Sequence, residues 1–213
     1  MKVDRKTLLL YAVTDRSWLG QNSLAAQVEE AIRAGVTIVQ LREKELPTED
    51  FLSEAMAVKK VTRRYGVPLI INDNIEVTLA CDADGVHIGQ KDMALPQARK
   101  LLGAQKIIGV SASTIEEALL AEEQGADYLG VGSVFSTSTK PEADKVSIDT
   151  LKEICQKVSI PVVAIGGINA NNLLLLKNSG IAGVAVVSAI FAQPDIGSAT
   201  RQLRQLVQEA VQL

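Results

Sequence analysis

The stretch KIIGVSASTIEEALLAEEQGADYLGVG, residues 106–132, contains one complete strand–helix–strand unit. Its two ends, 106–111 and 128–132, are short runs rich in Val, Ile and Leu with little alternation of apolar and polar residues. Such runs are typical of parallel strands that are covered on both faces. Between them, Thr114 and Glu117 have the spacing of a capping box and predict a helix that ends at the following glycine. The stretch therefore predicts two parallel strands joined by a helix.

The same unit recurs along the whole chain. Apolar runs predict eight strands, at 8–13, 36–41, 68–72, 85–88, 106–111, 128–132, 161–166 and 183–188. Helices are expected at 22–34, 48–64, 114–125, 170–179 and 197–213. Eight units in 213 residues, without a break in composition, favour an α/β fold in which residues 1–213 form a single (β/α)8 TIM barrel domain. The alternative, a doubly wound open sheet, has the same βαβ rhythm but not the count of eight.

Composition excludes several classes of protein. Hydrophobic residues make up 47% of the chain and charged residues 22%, as in a soluble globular protein, and a net charge of −3 argues against nucleic acid or a membrane surface as the main partner. No apolar run approaches the ~20 residues of a membrane span, and the N-terminus makes a poor signal peptide, so we expect a cytoplasmic protein. One histidine and two distant cysteines nearly exclude a Cys/His zinc site. The oligomeric state is open, since the amphipathic final helix could pair with a second copy.

In a (β/α)8 barrel the active site lies where the strands end. After the second strand, Gln40, Arg42 and Lys44 are spaced two apart, so an extended chain would point all three to one side. The forked donors of Arg and the compact charge of Lys both suit phosphate. The alternative is a solvated, charged turn.

Two carboxylates follow neighbouring strands. Asp73 comes after the third strand and Asp92 after the fourth. A pair of carboxylates from adjacent loops can hold Mg²⁺ while substrate phosphates and water complete its shell. The alternative is helix capping by Asp73 or Asn74.

The remaining strand ends carry hydroxyls and glycines. Ser111 ends the fifth strand, the long loop 133–146 contains the sequence STSTK at 136–140, Gly166 and Gly167 follow the seventh strand, and Ser188 follows the eighth. Glycines let backbone N–H groups approach an anion, and loops 7 and 8 form the usual phosphate site of this fold. A tight turn is the alternative for the two glycines. No Ser-His-Asp set is recognisable, which argues against acyl transfer, and His87 in the fourth strand suits a packed or a catalytic role equally.

Taken together, these segments resemble the thiamine-phosphate synthase family over nearly the whole chain. The matching segments are YAVTD (11–15), QLREK (40–44), IND (71–73), GVHIGQ (85–90), GVS (109–111), TSTK (137–140), IGGI (165–168) and VSAI (187–190). Ser136 departs from the pattern, because the family often has proline there, and this exchange loosens the loop without altering the Thr-x-Thr-Lys that follows.

The resemblance implies a transferase of thiamine biosynthesis. The family joins 4-amino-5-hydroxymethyl-2-methylpyrimidine diphosphate to hydroxyethylthiazole phosphate and releases pyrophosphate, with Mg²⁺ as cofactor. The mechanism is dissociative: pyrophosphate leaves first, and the thiazole nitrogen captures a pyrimidine-methyl cation. The roles carried over by motif are pyrimidine diphosphate binding for Gln40, Arg42, Lys44, Asn72, Ser111 and Lys140, with Arg42, Lys44, Ser111 and Lys140 catalytic; thiazole phosphate binding for Thr137, Thr139, Gly167, Val187 and Ser188; and Mg²⁺ binding for Asp73 and Asp92.

Two other functions remain as alternatives. A thiazole tautomerase relative on the same fold uses a histidine for proton transfer and does not need the metal carboxylates. This chain has no histidine after His87 and keeps both carboxylates beside the cations, which disfavours the tautomerase. A non-catalytic phosphate-binding barrel would not need both the cationic cluster and the carboxylate pair.

Overall fold

The structure, a computed structural model, describes residues 3–137 and 145–211. Within these residues, eight parallel strands pair in sequence order, and the last pairs with the first to close a barrel. The strands are Leu10–Val13 (β1), Ile38–Leu41 (β2), Leu69–Asn72 (β3), Gly85–Ile88 (β4), Ile107–Ala112 (β5), Tyr128–Val131 (β6), Val162–Ile165 (β7) and Gly183–Val186 (β8). The predicted (β/α)8 fold is confirmed, and an open sheet is excluded.

Helices on the outside of the barrel cover the strands. They are Leu24–Arg33 (α1), Thr48–Tyr65 (α2), Ile75–Ala80 (α3), Leu95–Leu102 (α4), Ile115–Glu123 (α5), Ile148–Lys157 (α6), Ser188–Phe191 (α7) and Ile196–Val211 (α8). The predicted capping box is present at the start of α5, where the Glu117 N–H donates to Thr114 Oγ1 at 3.1 Å and the Glu117 carboxylate accepts from the Thr114 N–H.

The helix predicted over 170–179 is wrong. Only one 3-10 turn forms there, at Leu173–Leu176. The Asn171 N–H donates to Asn169 Oδ1 and the Asn169 N–H donates to Asn172 Oδ1, both at 2.9 Å. Because these side chains compete with carbonyl oxygens for the backbone donors, they favour a turn over a regular helix.

The core has two parts, separated by the alternation of side chains along each strand. One set of apolar side chains packs outward against the helices, and the other fills the barrel interior. In β4, β5 and β6, the interior positions include His87, Ser111 and Tyr128, which share parity with the apolar interior residues. Polar side chains therefore stand among the apolar side chains of the barrel interior.

The final helix uses its apolar face within the chain. Ile196, Leu203, Val207 and Ala210 of α8 are buried, and α8 packs against α1 and the 3-10 turn. None of the helices in the described ranges is long and apolar enough to cross a membrane.

Candidate active site

Within the described residues, the predicted site residues lie at one end of the barrel, because each stands in the last two residues of a strand or in the segment that follows it. Gln40, Arg42 and Lys44 were expected to point to one side of an extended chain. Since β2 ends at Leu41, only Gln40 lies in the strand, and the expected arrangement does not extend to the other two. Gln40 is buried inside the barrel, whereas Arg42 and Lys44 lie in the loop that leads to α2. Asn72 is the last residue of β3.

The acidic pair and one lysine form a compact cluster. Lys44 Nζ donates to Asp73 Oδ2, and the Asp73 carboxylate lies within hydrogen-bonding reach of Asp92. Asp73 has a left-handed backbone, φ 62°, and its N–H donates to the carbonyl of His87 at 2.8 Å. Asp tolerates this conformation better than most residues. The structure thus brings together residues from the loops after β2, β3 and β4.

Helix capping does not account for these carboxylates. The N-cap of α3 is Asn74, whose Oδ1 accepts from the Val77 N–H at 2.8 Å. Asp92 Oδ2 accepts from the Gly89 N–H at 2.7 Å and holds its own loop. Burial raises the pKa of Asp92, and the neighbouring Asp73 adds to this rise, while the Gly89 N–H and Lys44 oppose it. The structure thus places two carboxylates side by side at the ends of neighbouring strands, where each disfavours the ionised form of the other.

The loop that carries the cations is anchored by the residue between them. The Glu43 side chain is 3% exposed and accepts from Arg16 Nη1 at 3.4 Å. Burial raises the pKa of Glu43, and Arg16 opposes that rise. Glu43 thus pairs with Arg16, whereas Arg42 Nη1 lies 4.0 Å from Asp15 Oδ2 and Lys44 contacts Asp73. The Arg42 N–H also donates to Thr14 Oγ1 at 3.0 Å, which ties the loop to the end of β1.

A chain of hydrogen bonds crosses the barrel interior and ends at Ser111. Gln40 Nε2 donates to the Tyr11 hydroxyl at 3.0 Å, and the Tyr11 and Tyr128 hydroxyls are 2.8 Å apart. Tyr128 Oη lies 3.0 Å from His87 Nδ1, and His87 Nε2 lies 2.9 Å from Ser111 Oγ. We call these five side chains the interior relay. Gln40 and Ser111, both predicted at the site, are thereby connected through three residues. The sequence assigned no site role to Tyr11 and Tyr128, and for His87 it left a packed and a catalytic role open.

A separate cavity lies beside the ends of β7 and β8. Its volume is about 440 Å³, and it is lined by Thr137, Gly167 and Ser188, all three predicted for the thiazole phosphate. Val187 is not part of this lining, and its side chain packs on the interior core. The lining also includes Ser136, noted in the sequence as a departure from the family pattern, and polar residues to which the sequence assigned no role: Asn169, Asn171, Gln193 and Gln202.

The turn after β7 shapes this cavity. Gly166 and Gly167 have φ values of 101° and 64°, which favour glycine. The Gly167 carbonyl accepts from Asn172 Nδ2 at 2.9 Å and from Asn169 Nδ2 at 3.2 Å. The tight turn and the cavity wall are therefore the same structure, and the two interpretations of these glycines are compatible.

Comparison with known proteins identifies the family. The family model described as thiamine monophosphate synthase matches residues 10–190. The chain belongs to the thiamine monophosphate synthase family. It is 53% identical over 197 residues to the thiamine-phosphate synthase of Ruminiclostridium cellulolyticum (92% of this chain, 94% of the relative), and 52% identical over 200 residues to that of Clostridium acetobutylicum (94% and 95%). The solved thiamine phosphate pyrophosphorylase from Pyrococcus furiosus superposes with a TM-score of 0.90 at 40% identity, covering 97% of this chain and 98% of that one.

Membership of the thiamine monophosphate synthase family confirms the resemblance found in the sequence. The chain is accordingly a transferase of the thiamine-phosphate synthase type. Thr139 and Lys140, predicted for the thiazole phosphate and the diphosphate, lie outside the described residues. Their roles remain predictions.

Proposed function

We propose that the chain joins 4-amino-5-hydroxymethyl-2-methylpyrimidine diphosphate to hydroxyethylthiazole phosphate in a Mg²⁺-dependent reaction, giving thiamine phosphate and pyrophosphate. The observation that carries the proposal is the Lys44–Asp73–Asp92 cluster at the barrel mouth. A binding module for a simple phosphate has no need of two adjacent carboxylates. Family membership supports the same reaction.

The reaction needs no protein nucleophile. The bond between the pyrimidine methylene carbon and the bridging oxygen breaks, and its electron pair stays on the diphosphate. The lone pair of the thiazole nitrogen then forms the new C–N bond with the pyrimidine-methyl cation. What the site must supply is stabilisation of the leaving charge and correct positioning. Arg42 and Lys44, held by the Glu43 anchor, supply positive charge for the diphosphate, and we assign Lys140 the same role from its motif.

The donor set fits Mg²⁺. Among residues 3–137 and 145–211, no cluster of three or more His, Cys, Asp or Glu forms a complete metal cage. Mg²⁺ usually takes one or two carboxylates and completes its shell with water and substrate phosphates. Asp73 and Asp92 match that requirement. When bound, Mg²⁺ would neutralise charge on the departing pyrophosphate.

The cavity near β7 and β8 suits the second substrate. Its lining of hydroxyls, amides and backbone near Gly167 provides neutral donors for a phosphate. We assign the thiazole phosphate to Thr137, Thr139, Gly167, Val187 and Ser188, and the diphosphate to the opposite, cationic side. We further propose that residues 1–213 form one domain and that the protein works in the cytoplasm, in keeping with its free Cys81 and Cys155.

The test is pyrophosphate release on mixing the protein with both substrates, in Mg²⁺ and in EDTA. We expect release and thiamine phosphate formation in Mg²⁺ and neither in EDTA. A folded protein that binds thiazole phosphate but releases no pyrophosphate would refute the proposal and favour the tautomerase or a binding module. Release that persists in EDTA would refute the assignment of the carboxylate pair.

A further inference from the structure

In the interior relay, each side chain donates a hydrogen bond to the next one, and this order follows from the Gln40 amide at one end. Within the part of the chain that the structure describes, the Tyr11 hydroxyl has two hydrogen-bond partners, Gln40 and Tyr128. Because the Gln40 amide donates to Tyr11, the hydrogen of Tyr11 is left for the Tyr128 oxygen. Tyr128 is then left to donate its own hydrogen in a hydrogen bond to His87 Nδ1, 3.0 Å away. Burial raises the pKa of both phenols, so both keep their hydrogens.

The same assignment of hydrogens extends from His87 to Ser111 at the site. An imidazole that accepts at Nδ1 carries its hydrogen at Nε2. His87 Nε2 therefore donates to Ser111 Oγ, 2.9 Å away. The Ser111 oxygen is occupied as an acceptor, and its own hydrogen is free to point elsewhere. If the Gln40 amide were rotated so that its oxygen faced Tyr11, donor and acceptor would be exchanged in every hydrogen bond of the relay. Ser111 would then donate to His87 inside the barrel.

Two glycines of the barrel strands leave room for the rings of the interior relay. A Cβ on Gly109 would lie 2.1 Å from the Tyr128 ring, and a Cβ on Gly130 would lie 2.9 Å from His87 Cε1. Both glycines are inside strands and neither has a positive φ, so they serve close packing and not backbone conformation. Room for the two rings is therefore made at two separate strand positions.

We propose that the interior relay makes Ser111 a hydrogen-bond donor toward the pyrimidine diphosphate, with His87, Tyr128 and Tyr11 as positioning residues. This inference rests on the proposed function, because it assumes that Ser111 meets that substrate. The relay fixes the direction of one hydrogen bond before the substrate arrives. The Ser111 hydrogen is then available to an acceptor atom of the substrate, because no group inside the barrel takes it.

The direction can be measured without turnover. His87 is the sole histidine of the 213-residue sequence, so ¹⁵N-histidine labelling of an untagged protein reports on it alone. In a spectrum recorded at about pH 8, we expect the hydrogen on Nε2. Gln40→Glu replaces the donor with an acceptor and should move the hydrogen to Nδ1. Tyr128→Phe, which keeps the ring, should produce a mixture of the two forms.

Two spectra would overturn the inference: a wild-type hydrogen on Nδ1, or a wild-type pattern that persists in every folded variant. A protein without synthase activity that still shows the Nε2 form would refute the proposed function while leaving the direction of the relay intact. The two failures are thus distinguishable.

Kinetics tests whether the relay acts through Ser111. We expect Ser111→Ala to lower kcat/KM for the pyrimidine diphosphate about 100-fold, and Tyr128→Phe about tenfold. The double variant should match Ser111→Ala within about twofold, because the relay has nothing left to orient. A multiplicative loss of about 1000-fold would show that Tyr128 acts on its own and would overturn the inference. Tyr65→Phe, which removes a hydroxyl bonded to Glu29 on the surface, is the matched control and should retain wild-type kinetics.

Discussion

Replacing Gly167 with alanine tests the wall of the thiazole-side cavity. At φ 64° an alanine costs about 1–2 kcal/mol in backbone conformation alone. The added Cβ would also lie 2.3 Å from the Ser136 carbonyl oxygen and 2.8 Å from that of Phe135. Both obstacles are backbone, and the asparagines that bind the Gly167 carbonyl prevent the turn from rotating away. Such a clash costs about 1–3 kcal/mol more, so we expect a loss of about 2–5 kcal/mol in the free energy of unfolding.

Gly66→Ala provides the matched control. Gly66 has φ 66° but no atom within 4 Å of its added Cβ, so it carries the conformational cost without the clash. Urea denaturation of both variants separates the two contributions. Because the clash displaces the 135–137 loop, Gly167→Ala should also raise KM for thiazole phosphate more than tenfold, whereas Gly66→Ala should not. Equal free energies of unfolding for the two variants would refute the packing argument, and an unchanged KM would remove the loop from the binding site.

Four further predictions concern single side chains. Lys140→Ala should lower turnover by orders of magnitude in a folded protein, as measured by pyrophosphate release; near-normal turnover would exclude it from the site. Asp92→Asn keeps an acceptor for the Gly89 N–H but removes a charge, so the Mg²⁺ concentration for half-maximal rate should rise at least tenfold, and an unchanged value would contradict the metal role. Ser188→Ala should raise KM for thiazole phosphate more than KM for the pyrimidine; the reverse order would invert the two ends of the site. Burial raises the pKa of Cys155 to about 11, so at about pH 8 only about 0.1% is thiolate, and mass spectrometry should find that it is alkylated far more slowly in the native protein than in urea; equal rates in the two conditions would contradict the raised pKa.

The strands could be predicted because every one of them is buried on both faces. Uniform apolar runs located all eight, with errors of one or two residues at most ends; β1, for example, begins at Leu10 and not at residue 8. The helix expected at 170–179 contains four consecutive leucines, but local side-chain chemistry opposes it. Asn169, Asn171 and Asn172 precede those leucines, and their amides bond the backbone in ways that a periodicity pattern does not detect.

The charged part of the site could be predicted because parallel strands end at the same edge. Once a closed barrel was expected, Asp73 and Asp92 had to be neighbours. The interior relay was missed because tyrosines within apolar runs are usually core. A signal did exist in the glycines of β5 and β6, since Gly109 and Gly130 lie at interior positions where a strand normally presents a packed side chain. Two such gaps beside a histidine and a tyrosine indicate rings that need space.

The Lys44–Asp73 ion pair affects how Mg²⁺ and the diphosphate bind relative to each other. In the structure Lys44 serves as the counterion of an acidic pair. In the proposed complex each partner has another role, since Lys44 faces the diphosphate and Asp73 faces Mg²⁺. Diphosphate arriving without metal would meet two carboxylates, and metal arriving alone would compete with a lysine already in contact with Asp73. Each ligand therefore binds less favourably when the other is absent, and we expect metal and diphosphate to bind cooperatively. The coupling between them comes from the Lys44–Asp73 ion pair, which must separate for either ligand to bind.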